Sequence, residues 1–448
     1  MQGRRCPALP DLDAARRAGH VDGVNSLPPP LPPPAPLRRG RNFPWGRVAL
    51  GCVAVVVVAA VAVPLKLRFN LRREVKRELA LCRKAGQAVT LEELAALYPP
   101  VPDGENAALP LLEIWREDDP AFWEAWLEGR KPLPESLDRG IPQLAGEGRP
   151  LPRGQPPRPQ DQAVYDGWWR SNEVRMARMQ AALRRPDFRF PMRFEDGHQM
   201  LVPHLRAMKA EAQRLRLRAF FAADAGDTEA ALSAIEAGGA TARLLEAEPV
   251  LISQLVVVAN RAIMMRAVED FLNRQAPTTV GLDRLAGAVA WSPAGDGLAR
   301  GFQSERAMAL DLLSLPAGLA AEAINSLGTS RDEEADAASS VNSRWATAGL
   351  WLMRLHGLAE QDRLNLLRTW RRAVAASEPG AANRAAYFDA FEDAARAVEE
   401  EPRLIFSRMF LPALRKTWDK FAQVGAEAGM ARVAFAAERF RLRHDRPP

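Results

Sequence analysis

Residues 204–247 read HLRAMKAEAQRLRLRAFFAADAGDTEAALSAIEAGGATARLLEA, and they predict two consecutive α-helices. Ala, Leu, Arg and Glu, which are among the strongest helix formers, make up most of this stretch. The tripeptide Ala225-Gly226-Asp227 divides it, and Asp is a residue type that caps the start of a helix. We therefore predict helices over 204–225 and 228–247, joined by a short turn.

Helix signals continue over most of residues 161–448. The chain of 448 residues is 47% hydrophobic and 26% charged, a balance typical of globular proteins. The segment 250–274 begins with VLISQLVVVAN, which is apolar on nearly every side and predicts a central buried helix. Further helices are predicted over 161–184, 296–314, 332–357, 359–377, 380–400 and 404–443. No convincing strand or hairpin pattern occurs, so we predict an all-α multi-helix bundle over 161–448.

An uncharged segment lies upstream of these helices: Val48–Leu65 reads VALGCVAVVVVAAVAVPL. As a helix it would be about 27 Å long, close to the roughly 30 Å hydrocarbon core of a bilayer. Trp45 lies at one edge, and Arg47 and Lys66 bracket the run, as is typical of membrane-spanning helices. The run is too long for a strand of a globular protein. We predict a single N-terminal transmembrane helix over 45–65.

The rest of the N-terminal part is divided by proline. Residues 1–44 contain SLPPPLPPPAPL, which favours an extended polyproline conformation, and we predict a disordered tail. This tail could bind a Pro-recognising domain, act as a spacer, or come from a start codon assigned too far upstream. Residues 66–130 are predicted to form a basic juxtamembrane helix and several short helices. Residues 131–160 hold eight Pro without an apolar period, which indicates a linker or a long exposed loop.

Two capping signals lie within 66–130. The sequence Thr90-Leu91-Glu92-Glu93 has the pattern of a capping box, in which Thr90 accepts from the backbone N–H of Glu93 and Glu93 reaches back. Asp103 is predicted to cap the helix that follows it.

The excess positive charge is concentrated around the predicted span. Residues 1–89 hold sixteen Lys or Arg and five Asp or Glu; because the whole chain has a net charge of +6, residues 90–448 carry −5. Anionic lipid headgroups attract basic side chains in such a position. The predicted partner of residues 45–65 and of the basic residues 66–84 is therefore the lipid bilayer. The mildly acidic domain disfavours nucleic-acid binding.

Charge does not settle the orientation of the span. Basic residues flank it on both sides, and those that follow it are Lys66, Arg68, Arg72, Arg73, Lys76 and Arg77. A literal count of positive charges places the large domain in the cytoplasm. Long domains are translocated regardless of nearby charge, however, so both orientations stay open.

The most metal-like cluster consists of Glu195, Asp196, His198 and His204 within FEDGHQMLVPHL. Histidines six residues apart with Pro203 between them do not share a helix face, as the i, i+4 ligands of zinc helices do. We therefore favour a polar turn followed by the first turn of a helix, and we predict no metal site.

Other notable side chains are interpreted as structural. They are His356 at a helix end, the acidic runs 332–334 and 399–401, and the tryptophans Trp168, Trp169, Trp345 and Trp351. Recognisable motifs of serine hydrolases, zinc proteases, dithiol enzymes and nucleotide-binding loops do not occur, so we predict no catalytic residue and no cofactor. Only Cys82 of the three cysteines lies in the predicted folded part, which excludes an internal disulfide framework there.

Four phrases resemble an uncharacterised family of bacterial single-span membrane proteins with a large α-helical domain. They are LRREVKRELALCRKAGQAVTLEELAALYPPVPDGENAA from residue 71, AGDTEAAL, LEAEPVLISQL and the closing ARVAFAAERFRLRHDRPP. The resemblance covers roughly residues 66–448 and implies a periplasmic domain, but no known activity and no functional residues. The closing helix also resembles a pseudopilin-type junction, and residues 204–247 resemble one tetratricopeptide hairpin.

These patterns favour a membrane-anchored structural or protein-interaction domain at the cell envelope, in which a hydrophobic groove could receive a partner helix. The alternative is an envelope hydrolase or metal-dependent enzyme around His198 and His204. A helical groove for a lipid or small ligand is a third hypothesis.

Overall fold

The helical class is confirmed by a computed structural model that describes residues 45–130, 141–142, 155–290, 296–328, 336–378, 384–401 and 403–446. Its helices are α1 (Trp45–Lys84), α2 (Leu91–Ala96), α3 (Ala108–Asp118), α4 (Pro120–Leu127), α5 (Pro159–Leu183), α6 (His204–Asp224), α7 (Thr228–Arg243), α8 (Leu251–Leu272), α9 (Thr279–Ala288), α10 (Asp296–Ser314), α11 (Ala317–Gly328), α12 (Asp336–Leu355), α13 (Leu358–Ser377), α14 (Arg384–Glu399) and α15 (Ile405–His444). The described ranges contain no β-strand, only one isolated bridge between Asn106 and Asp187.

The predictions for residues 1–44 and for most of 131–160 lie outside the described residues. The chain divides into two units, residues 1–57 and residues 58–448. Of the first unit, the described part is the helical segment 45–57. The remainder of this subsection concerns the second unit.

The hairpin predicted over 204–247 is formed by α6 and α7. The turn follows the predicted pattern, because Gly226 has a φ of +82° and Asp227 Oδ1 accepts a hydrogen bond from the backbone N–H of Ala230 at 3.0 Å. A second glycine, Gly239, determines how closely α9 packs against α7. A Cβ atom at Gly239 would overlap the backbone carbonyl of Ala288, so the absence of a side chain allows α9 to approach closely.

Helix α8 is a core helix, as its apolar sequence predicts. Val257 and Met264 are buried with residues of α6, α7 and α9 in the largest apolar cluster. Two of its polar residues are also buried and hydrogen-bonded: Asn260 Nδ2 donates to Thr241 Oγ1 at 3.1 Å, and Gln254 Nε2 donates to the Glu248 carbonyl at 2.7 Å. Hydrogen bonding of this kind offsets the cost of removing polar groups from water.

A second apolar cluster joins α10–α15. Trp370, Phe391 and Phe406 are fully buried within it. The start of α15 is fixed by Asp362, whose carboxylate accepts from the backbone N–H of Phe406 at 2.7 Å and from that of Ser407 at 3.0 Å. Desolvation raises the pKa of Asp362, although these hydrogen bonds oppose the rise. A buried carboxylate thus replaces the N-cap that a residue of α15 would otherwise supply.

Helix α1 does not end with the apolar run at Leu65. It continues through Pro64 to Lys84, and Gly86 follows with a φ of +70°. The second half of α1 carries one buried stripe: Val75 and Cys82 pack against residues of α10 and α13 in a separate apolar cluster. The second half of α1 is therefore part of the folded domain.

The two capping predictions have different outcomes. Glu93 N–H donates to Thr90 Oγ1 at 3.1 Å, and the Glu93 carboxylate accepts from Val89 N–H at 2.7 Å, as expected for a capping box. The prediction for Asp103 is wrong. Asn106 takes that role, since its Oδ1 accepts from Ala108 N–H at 3.0 Å while its side chain also binds the backbone of Arg189. The contact with the backbone of Arg189 therefore favours Asn106 over Asp103 as the acceptor at this helix start.

Candidate functional site

An apolar groove runs between α8 and the second half of α15. Its lining consists mainly of small and apolar side chains, namely Leu255, Val258, Ala259, Ala262, Met265, Val268, Leu272, Val424, Met430, Ala431, Ala434 and Phe435. The groove encloses about 830 Å³. The lining residues span about 27 Å of α8 and about 22 Å of α15, at 1.5 Å per residue.

The groove exists because α15 is held in place at one end and small residues line the space between it and α8. Phe435 of α15 is buried in the main apolar cluster, and Arg439 Nη2 binds Asp283 Oδ1 of α9 at 2.5 Å, so this end of α15 is fixed. Beside that contact, Ala259, Ala262 and Ala434 leave space that larger side chains would fill.

The groove is apolar inside and charged at its rim. Arg266 and Glu269 on α8, and Lys420 and Glu427 on α15, contribute two charges of each sign. Met430 leaves 65% of its surface exposed. Exposure of apolar surface to water costs free energy, and a ligand in the groove would cover this side chain. Such a lining can bind an apolar or amphipathic surface and contains no obvious catalytic pair.

The four residues of the predicted metal-like cluster separate in the structure. Glu195 and Asp196 are exposed, whereas His204 is completely buried. His198 lies in a short 3-10 helix, Phe194–Gln199, whose Gly197 has a φ of +54°. Throughout the described part of the chain, no three His, Cys, Asp or Glu side chains converge in a way that could hold a metal ion.

His204 instead belongs to a buried polar network centred on Glu248. His204 Nε2 lies 2.8 Å from Glu248 Oε1, and both side chains are completely buried. Ser253 Oγ donates to Glu248 Oε2 at 2.5 Å, and the Tyr98 hydroxyl lies 3.4 Å from Oε1. The imidazole stacks on Phe190 with a centroid distance of 3.9 Å.

All four side chains of this network are buried. Burial and the neighbouring Glu248 carboxylate raise the pKa of Tyr98 above its usual value, so the phenol keeps its proton. Its hydroxyl accepts from the backbone N–H of Phe190 at 2.9 Å. The network connects the segment after α2 with α6 and α8 through polar contacts between buried side chains, and we assign it a structural role.

The remaining candidate side chains lie in different places. Trp168 and Trp169 pack at the edge of the main apolar cluster, where the Arg218 guanidinium lies 4.0 Å from the Trp169 ring centroid. His356 is exposed directly after α12, and Trp351 is 60% exposed. Residues 332–334 and the side chain of Trp345 lie outside the described residues, and the run 399–401 marks the end of α14.

One strongly perturbed acid has no signature in the sequence. Desolvation by burial raises the pKa of Glu305, on α10, to about 7. A carboxyl group with such a pKa can exchange a proton near neutral pH. It lies on the helix that packs against α8 and α13, away from the lining of the groove.

Comparison of the chain with protein-family models, with curated proteins and with solved structures finds no match of any of the three kinds. The resemblance to a bacterial single-span family therefore stays a prediction.

Proposed function

We propose that this chain is a single-pass membrane protein whose helical domain binds an amphipathic helix of a partner protein in the α8–α15 groove. The observation that carries the anchor is the division of α1 into two halves. The most apolar 18 residues of this helix are completely unburied, whereas Val75 and Cys82, further along, lie in the core. A lipid bilayer surrounds such a helix with hydrocarbon, so that its apolar surface is no longer exposed to water.

Helix α8 is the other described helix that is long and apolar enough to cross a membrane. More than half of its apolar window, 56%, is buried within the protein. Its Arg261 is also buried, and the guanidinium binds Glu246 and the Ala290 carbonyl. These contacts support a role for α8 in the core and a single span formed by α1.

The proposal places the helical domain in the periplasm, in agreement with the family resemblance and against the count of flanking charges. Two of those basic residues have partners within the protein: Arg68 Nε and Arg72 Nε lie 2.9 and 3.0 Å from Glu360 Oε1. Part of the positive charge after the span is thus paired with Glu360 of α13, which weakens the argument for cytoplasmic retention. A reporter enzyme that is active in only one compartment, fused to the C-terminus, tests this orientation.

The shape and chemistry of the groove favour a helix as its occupant. Two helices form its walls over a length of four to five helical turns, which is the geometry of helix-in-groove recognition. Met265 and Met430 provide flexible, polarizable contacts of the kind common at such surfaces. Charges of both signs at the rim suit a partner with an apolar stripe and mixed charge beside it. The α6–α7 hairpin, as a single tetratricopeptide-like unit, fits a domain of this class.

The anchor predicts a large effect of charge in the span. We expect Val56→Arg combined with Val57→Arg to release the full chain from membranes on alkaline carbonate extraction, while the wild type stays in the pellet. Each Arg at the centre of a membrane helix costs about 3 kcal/mol of insertion free energy. Val174→Arg is the matched control, because Val174 lies on α5 and is 75% exposed. Retention of the double variant in the pellet would argue against the anchor.

The groove predicts a specific photo-crosslink. A photo-reactive amino acid at Met430 should cross-link a partner protein in intact cells, and the same group at Val174 should not. Ala434→Trp should abolish the adduct by filling the groove, whereas Ala426→Trp, which adds the same indole at an exposed α15 position outside the lining, should preserve it.

The identity of the cross-linked peptide decides the outcome. A peptide of another protein with apolar residues at i, i+3 or i+4, and i+7 supports the proposal. A peptide of this same chain would instead identify self-association. An adduct with lipid alone, or an adduct that is insensitive to Ala434→Trp, would contradict the proposal.

A further inference from the structure

Helix α12 carries an exposed apolar face near its C-terminal end. Trp351, Leu352 and Leu355 leave 60%, 51% and 42% of their surfaces exposed, and their spacing places them on one side of the helix. Leu350 and Met353 face the opposite way into the apolar cluster of α10–α15. A contiguous apolar patch of this kind indicates a contact surface.

The turn that follows this face lies next to α1, close to the point where the uncharged run ends. Only His356 and Gly357 separate α12 from α13. Gly357 has a φ of +77°, and a Cβ atom there would lie 3.4 Å from the Arg68 Cα. The first turn of α13 is held at the same place, because Glu360 pairs with Arg68. The α12–α13 turn therefore contacts α1 three residues after Leu65.

Side-chain pairs along α13 fix the direction of this helix relative to the second half of α1. Glu360 pairs with Arg68, Arg368 Nη2 lies 2.7 Å from Glu74 Oε2, and Arg371 Nε lies 3.1 Å from Glu78 Oε2. Residue numbers rise together on both helices, so α13 runs parallel to α1. Its first turn, together with the end of α12, is consequently the part of this pair closest to the uncharged run.

The level of the α12–α13 turn, where this face ends, matches the headgroup layer of a bilayer. Three residues of helix separate Leu65 from Arg68, which is about 4.5 Å along the axis. The polar layer on each side of the hydrocarbon core is about 5–7 Å thick. Trp is enriched at this depth, because its indole is apolar and carries a hydrogen-bond donor. Leu65, Leu67 and Phe69 of α1 are also exposed at this level.

A second element reaches the same end of the domain. Asp362, in the second turn of α13, caps the start of α15 through Phe406, so the neighbouring Ile405 lies close to the α12–α13 turn. Ile405 is 47% exposed. Arg403, just before it, has a largely exposed side chain that could reach anionic headgroups.

We propose that the α12 face formed by Trp351, Leu352 and Leu355 rests in the headgroup layer of the same bilayer that α1 spans, with Ile405 as a further contact. This inference rests on the membrane anchor of the proposed function. The domain is then held against the lipid surface at two places, by the span and by this face, and its tilt is fixed by the ion pairs between α1 and α13.

The test measures immersion of nitroxide labels in lipid. The full chain with Cys6→Ser and Cys52→Ser retains only Cys82, which is completely buried. Single labels are introduced through Leu352→Cys, Leu355→Cys, the exposed control Val174→Cys and the span reference Val56→Cys. The protein is reconstituted in vesicles of phosphatidylethanolamine and phosphatidylglycerol. Accessibility of each label to oxygen, which partitions into lipid, and to a water-soluble nickel chelate is measured by electron paramagnetic resonance.

We expect the ratio of oxygen to nickel accessibility to be several-fold higher at positions 352 and 355 than at 174, and highest at 56. A lipid-like value at 56 together with a water-like value at 352 and 355 would overturn this inference and leave the anchor intact. Shielding of 352 and 355 from both reagents would show that a protein covers the face, which also overturns it. A water-like value at 56 would contradict the anchor itself, and this inference would fall with it.

Discussion

Replacing Glu211 with Ala should lower the free energy of unfolding by about 3–5 kcal/mol, because it removes the buried carboxylate that faces the buried Arg214 and the half-buried Arg175. Glu211, on α6, is completely buried. Arg175 Nη2 lies 2.6 Å and Arg214 Nη1 lies 2.9 Å from its Oε1, and Trp115 Nε1 donates to the same oxygen at 3.3 Å. One carboxylate thus joins α3, α5 and α6. Urea unfolding of the full chain in detergent, followed by circular dichroism, measures the loss.

Two control variants distinguish the cost of leaving buried charge unpaired from the simple loss of a favourable ion pair. Glu117→Ala removes an exposed ion pair with Arg178 between the same two helices, α3 and α5, and should change stability little. Glu211→Leu combined with Arg175→Met and Arg214→Met should recover most of the loss, since a buried ionic cluster is commonly replaceable by apolar groups of similar volume. A triple variant as unstable as Glu211→Ala would show that the buried charge is not the cause.

The effect also has a predicted pH dependence. Burial alone would raise the pKa of Glu211, but the Arg214 and Arg175 guanidinium groups outweigh it and hold the pKa below the ordinary value of 4.5. The stabilisation is therefore complete above the unfolded pKa and is lost as the pH falls below it towards the folded pKa. The difference between the wild type and Glu211→Ala should be constant near neutral pH and should shrink in acid below about pH 4.5.

Replacing Glu248 with Ala should cost about 3 kcal/mol or more, because each buried polar group left without a partner costs about 1–3 kcal/mol. The groups that lose their Glu248 partner are Ser253 Oγ and His204 Nε2, whereas the Tyr98 hydroxyl keeps its hydrogen bonds with the backbone of Phe188 and Phe190. Glu248→Gln should be milder, since its amide oxygen still accepts from Ser253. Thermal unfolding monitored by circular dichroism compares the two variants.

The control for Glu248→Ala replaces Glu195, a residue of the metal-like cluster described in the sequence. Glu195→Ala should leave stability nearly unchanged, because Glu195 is exposed. If Glu248→Ala were as stable as the wild type, the polar network around His204 would have no structural role. A loss of stability in Glu195→Ala of similar size would contradict the separation of Glu195 from the core.

The local elements of this protein follow from neighbouring residues. Gly226 and Asp227 place the turn between α6 and α7, because a positive φ and a side-chain cap are properties of the turn residues themselves. The core position of α8 likewise follows from a sequence that is apolar on every side. Helices α9 and α11 were not predicted; α9 packs against Gly239 of α7, a long-range contact that no local pattern announces.

The sequence indicates that a groove exists but not which residues line it. A hydrophobic groove was expected for a partner-binding helical domain, but its walls come from residues 255–273 and 420–435, which are more than a hundred residues apart in the chain. The same holds for His204. Its helix start was predicted, whereas its partner Glu248 lies 44 residues further on, at the other side of a helical hairpin.

The sequence by itself determined the helical class, the uncharged run and most helix boundaries, because hydrophobic period, helix propensity and capping depend on residues within one or two turns. The tertiary structure alone decided which charges are buried, where α8 and α15 leave a groove, and that α1 continues beyond Leu65 into the domain core. These features depend on which distant side chains remove one another from water, and that energy is defined only once the helices have packed.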